Sequence, residues 1–204
     1  FRAYASMYAY DRTELRAKVE SVDESSPYWK KEKISFDAAY GNERVTAYLF
    51  LPKNALPPHQ TIVFFPGANA LALRSSTALA AMQYVEYVIK SGRALLYPIY
   101  QETYERWRGR DDPSTSGRAT SAGMSLIHRR DRILMWYKDL ARSIDYLATR
   151  PDIDLGKLGY LGQSMGAAHG PVFAALENRL ATCVFLNGGV YLRESLPESD
   201  QLHF

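Results

Sequence analysis

Apolar positions in this chain come either in short unbroken runs or at three- and four-residue steps, and the switch between the two marks most of the elements. Over Thr61–Phe65 β-forming residues follow one another until Pro66-Gly67 ends the run, as in a central strand buried on both faces. Leu79, Met82, Val85 and Ile89 then recur at three- and four-residue steps, with Gly92 beyond them as a helix stop. "RALLYPIY" (Arg93–Tyr100) is a second buried strand. Ile133, Trp136, Tyr137, Leu140, Ile144 and Leu147 predict an amphipathic helix over Asp131–Thr149, closed by Pro151. Three more elements follow: a strand in "KLGYLG", a helix in "GAAHGPVFAALENRL" and a strand in "ATCVFLNGG". Pro171 falls in the second turn of that helix, which predicts a kink or a late start there.

Upstream the pattern is less regular. Two β-rich runs flank Gly41-Asn42, which reads as a hairpin turn. A short helix is expected over Thr13–Glu20, followed by a turn at Pro27. From Gln60 the order is strand, helix, strand, helix, strand, helix, strand. That order argues for a mostly parallel sheet with helices on both faces, and the hairpin adds antiparallel strands at one edge. Residues 31–204 form the α/β core in this reading. Residues 1–30 are an N-terminal extension or the remnant of a preceding domain.

Composition narrows the function little. The 204 residues suit one domain, and with 47% apolar residues a substantial core can be buried. A net charge of +3 is too small to argue for nucleic acid. No apolar run approaches a membrane span, and no signal peptide opens the chain, so a cytoplasmic location is expected. The single cysteine, Cys183, rules out an internal disulfide framework. No residue spacing suggests a metal site, and nothing points to a cofactor.

The chemistry is concentrated in "GQSMG". Ser164 stands between Gly162 and Gly166, after an apolar strand and before an Ala-rich helix. A nucleophile elbow needs that context, because the sharp turn exposes the hydroxyl and glycines let strand and helix approach. Acyl transfer also needs two N–H groups aimed at an oxyanion. Met165, after the serine, would supply one. "FFPGANA" stands where the second belongs, with Ala68 as donor and Asn69 as the adjacent alternative. Without its context the motif reads as a glycine-rich turn that binds a phosphate or nothing.

With "YLATRPDIDLGKLGYLGQSMGA" the chain resembles the α/β-hydrolase family over about residues 32–190, in its dienelactone-hydrolase and acetyl-xylan-esterase branch. "FDAAYGNERVTAYLFLP" and "SGRALLYPIYQETYER" are more narrowly similar to a bacterial hydrolase domain fused to serine/threonine protein kinases. The resemblance implies a three-layer α/β/α sandwich and serine-dependent hydrolysis of a small-molecule carboxylic ester through an acyl-enzyme. A fused kinase domain is implied in the full-length protein.

The resemblance also implies a triad in the chain order Ser, Asp or Glu, His. Only forty residues follow Ser164. The expectation is therefore a sheet that stops after its sixth strand, with the acid and base outside this sequence and the isolated fragment inactive. An edge left open in that way invites self-association. Of the four histidines, His59 reads as a surface turn residue and His169 as a packing residue. His128 would touch substrate at most, and His203 could pair with Asp200 in the tail. The segment Gln101–Arg132, with seven arginines against five acidic residues, reads as a solvated rim or as a lid. As a lid, it would line a pocket with Tyr104, Arg106 and Trp107, and Arg106 or Arg108 would bind a substrate carboxylate. Gln163 is a further lining candidate. Two other readings keep the fold: a non-catalytic regulatory module of a signalling protein, and an amide- or peptide-hydrolysing relative.

Overall fold

A computed structural model describes residues 2–107 and 126–189. They form one seven-stranded sheet in the order β1-β2-β3-β5-β4-β6-β7. The strands are β1 (Lys18–Asp23), β2 (Trp29–Asp37), β3 (Arg44–Pro52), β4 (His59–Phe65), β5 (Ala94–Pro98), β6 (Ile153–Gln163) and β7 (Leu180–Leu186). The helices are α1 (Arg2–Met7), α2 (Met82–Lys90), α3 (Leu126–Leu147) and α4 (Met165–Leu176). β5, β4, β6 and β7 pair in parallel, and β1, β2 and β3 extend the sheet in antiparallel fashion.

Period-two alternation divides the core into two halves. Val45, Ala47, Leu49, Val63, Phe65, Ala94 and Leu96 face one side, where Trp136, Leu140 and Ile144 of α3 and Phe173 of α4 cover them. Tyr48, Phe50, Phe64, Leu95 and Tyr97 face the other side, where Val85 and Ile89 of α2 lie. The result is the expected three-layer sandwich. α2 ends as predicted, with Gly92 at φ 88° and its N–H on the Ile89 carbonyl. The hairpin loop turns at Gly41 and Asn42, both at positive φ.

Several expectations are corrected. No helix covers Thr13–Glu20. Arg142, 1% exposed, takes the carbonyls of Thr13 and Glu14, and Lys18–Asp23 is the edge strand β1. β1 makes the strand counted as sixth the seventh. Tyr8, Tyr10 and Leu15 pack against the core, so the segment before residue 31 is tied to the sandwich. α4 starts at Met165 with no delay and runs through Pro171. His59 is buried at the start of β4, with its N–H on the Asp152 carbonyl. Burial lowers its pKa, against the pull of Asp152.

Candidate active site

Ser164 lies between β6 and α4 with φ 50° and ψ −104°, a conformation L-residues rarely adopt. It is exposed, whereas Gly162 and Gly166 on either side are buried. The close approaches explain the glycines. A Cβ on Gly162 would lie 2.5 Å from the Gly166 carbonyl oxygen, and one on Gly166 would collide with the Phe65 carbonyl oxygen at the end of β4. The Ser164 N–H donates to the Leu186 carbonyl on β7 at 2.7 Å, and its own carbonyl accepts from the Ala168 N–H at 2.8 Å. The Tyr160 hydroxyl holds the Gly166 carbonyl at 2.7 Å. The turn is thus fixed from three sides while the serine side chain faces outward.

The loop after β4 closes against this turn. A Cβ on Gly67 would stand 3.4 Å from the Ser164 Cβ and 3.8 Å from the Gln163 carbonyl oxygen. Gly67 is extended (φ −73°, ψ 174°), and Ala68 opens a 3-10 turn, Ala68–Leu71. Ala68 and Asn69 are exposed, and buried Ala70 anchors the turn in the α2-side core. Among the described residues the N–H groups of Ala68, Asn69 and Met165 have no acceptor. Met165 is the first residue of α4, where free N–H groups and the helix dipole favour negative charge. Gln163 is half-buried at the end of β6, paired in register with Leu186. Ser164, Gly67, Ala68, Asn69, Gln163 and Met165 therefore share one end of the sheet.

Tyr104 and Arg106 do not join them, which corrects their reading as pocket lining. Tyr104 is 0% exposed, and its hydroxyl accepts the Ala80 N–H and meets the Tyr97 hydroxyl, both at 2.8 Å. Arg106 is buried and donates to the Ile99 carbonyl at 2.7 Å and to Asp139 at 2.6 Å. Tyr40 bridges the pair by donating to Asp139 and accepting from Arg106. Burial pushes the Asp139 carboxyl pKa up, against the pull of Arg106. Asp139 was missed from the sequence; a carboxylate three residues after Trp136 on the apolar stripe of α3 was its available signal.

The histidines are elsewhere. His169 packs edge-on against Trp136 at 5.2 Å, and burial, with Arg132 nearby, lowers its pKa to about 4. His128, in the first turn of α3, meets the Glu102 carboxylate at 2.5 Å. Asp200, His203 and Arg108 lie outside the described residues. Among the described residues no histidine hydrogen-bonds Ser164, and no His, Cys, Asp and Glu cluster could hold a metal ion. No described helix is long and apolar enough to cross a membrane.

No family model and no curated protein matches the chain. Solved structures do. An acetyl xylan esterase from Paenibacillus sp. R4 superposes with a TM-score of 0.66 at 16% identity, over 98% of this chain and 61% of that one. A glucuronoyl esterase from Solibacter usitatus gives 0.59 at 15% identity, over 90% and 56%. A dienelactone hydrolase-like promiscuous phosphotriesterase from metagenomic libraries gives 0.58 at 19%, over 80% and 61%. The chain thus spans 56% to 61% of the length of these proteins. At such identities the likeness concerns architecture, and it agrees with the strand order and layering: the chain has the α/β-hydrolase fold.

Proposed function

We propose that this chain carries the nucleophile and the oxyanion-binding groups of a serine-dependent carboxylic ester hydrolase. One observation carries the reading: Ser164 is exposed at a strained strand-to-helix turn, with the loop bearing Ala68 closed against it. In the reaction the Ser164 hydroxyl attacks the ester carbonyl while a base takes its proton. Negative charge on the carbonyl oxygen is then met by the N–H groups of Ala68 and Met165, with Asn69 beside them. Collapse of the intermediate expels the alcohol and leaves an acyl-enzyme, which water hydrolyses. The neighbours named for their esters, acetyl xylan and glucuronoyl esterases, support a small-molecule ester substrate for the full-length protein.

A fluorophosphonate probe tests the reading. Full-length protein should be labelled at Ser164, and Ser164→Ala should abolish the label; a wild type that stays unlabelled overturns it. The second reading, a non-catalytic module on this fold, is favoured by one fact: no histidine among the described residues bonds Ser164. The same experiment separates the two.

A further inference from the structure

The loop that carries Ala68 continues to Ala81, and three tethers hold it. Arg74 lays its guanidinium on the Trp107 ring at 3.9 Å and donates to the Leu71 carbonyl, the last of the 3-10 turn, at 3.0 Å. Glu105 grips Ser76 twice, accepting its backbone N–H at 2.9 Å and its hydroxyl at 2.6 Å. Ala80 gives its N–H to the Tyr104 hydroxyl at 2.8 Å and takes the Tyr97 hydroxyl on its carbonyl at 3.1 Å. Tyr104, Glu105 and Trp107 all belong to the short stretch after β5. The residue among them that faces away, Arg106, is locked to Asp139, Tyr40 and the Ile99 carbonyl.

We propose that Thr103–Trp107 is a brace that fixes where Ala68 presents its N–H to Ser164, and that Glu105 is a positioning residue acting through Ser76. Arg106 is the anchor and the side chains flanking it are the grips. Ser76 is 3% exposed and its hydroxyl also meets the Tyr48 hydroxyl at 2.8 Å, so the grip reaches β3. Tightening or loosening at Ser76 is transmitted along eight residues to Ala68, with Arg74 on Trp107 as the point between. The inference rests on the reading of Ser164 and Ala68 given above.

The test compares fluorophosphonate labelling rates of full-length wild type, Glu105→Ala and Glu105→Gln, at a temperature where circular dichroism shows all three folded. The probe's phosphoryl oxygen must enter the site that Ala68 and Met165 frame. Glu105→Ala should slow labelling of Ser164 by at least about tenfold with probe affinity unchanged, because even about 1 Å of misplacement is costly. Glu105→Gln keeps an acceptor for the Ser76 N–H and should label close to the wild-type rate. Wild-type labelling in Glu105→Ala overturns the brace, as does a Glu105→Gln rate that falls as far as the Ala rate. Should Glu105→Ala fail to fold, Arg74→Met replaces it, removing an exposed guanidinium from Trp107 and Leu71, with the same expectation and the same overturning result. A wild type that labels at Ser164 with no effect of either variant removes the brace alone. A wild type that does not label removes the serine reading and the brace together.

Discussion

The loop after β4 and the loop after β5 leave the same end of the sheet from parallel neighbours. Both were offered by the sequence as parts of a site, yet they use their polar groups in opposite ways. In the first, Ala68 and Asn69 are exposed and their N–H groups have no acceptor among the described residues. In the second, Tyr104 and Arg106 are buried, with the phenol and the guanidinium engaged. A charged side chain near a site is therefore a poor guide to substrate contact. Arg106 already faces a carboxylate of its own protein, and a substrate would have to break a buried pair to reach it. The proposed site rests instead on backbone donors without an acceptor among the described residues, beside an exposed serine.

Four measurements would break or sharpen this contrast. The largest effect is expected for Ser164→Ala, which should lower fluorophosphonate labelling by more than about a thousandfold, read by gel fluorescence. Asp139→Ala leaves Arg106 buried without its carboxylate and should cost about 3–5 kcal/mol in a denaturant titration. A loss near zero there would mean that the second loop is not held as described. Ala68→Pro comes next. Gly67 is extended, as a residue before proline prefers, and proline fits the opening of a helical turn, so the change removes one N–H with little strain. Labelling should fall about a hundredfold while the thermal midpoint hardly moves. An unchanged rate would pass the donor's role to Asn69.

The smallest effect concerns His169, which packs against the residue that joins the two regions, Trp136. Trp136 donates its indole N–H to the Gln101 carbonyl at 2.8 Å, and its ring meets both Phe65 and His169. His169 is held neutral, with a folded pKa of about 4 against 6.5 when unfolded. The unfolded chain thus binds the extra proton first. Stability from this group is complete above the unfolded value and is lost as pH falls toward the folded one. The loss should be about 2 kcal/mol between about pH 7 and about pH 5, and His169→Phe should flatten that slope in chemical melts.

The contrast also explains what could be read from the sequence. β4 and β5 were legible because each is a short unbroken apolar run, and α3 because its three- and four-residue steps bury one face. The turn at Ser164 and its neighbour, the loop at Ala68, were legible because each follows directly from a strand end. β1 was not: a register shift between Val19 and Ser21 breaks its alternation, and its residues are largely exposed, so no face is recorded in the pattern. Arg106 was misread because Asp139 and Tyr40 lie 33 and 66 residues away along the chain. His59 gave no sign of burial, since the residues that cover a strand's first position come from elsewhere.

The two glycines around Ser164 have a consequence for how the protein can vary. Position 166 is closed by the Phe65 carbonyl of another strand and position 162 by the carbonyl of position 166 itself. In a saturation library these two sites should admit a single amino acid, while Gln163 and Met165 between them tolerate many. The outer letters of the five-letter word "GQSMG" are then spelled by their neighbours: β4 dictates the last and the turn dictates the first, which leaves the proposed chemistry to the middle one.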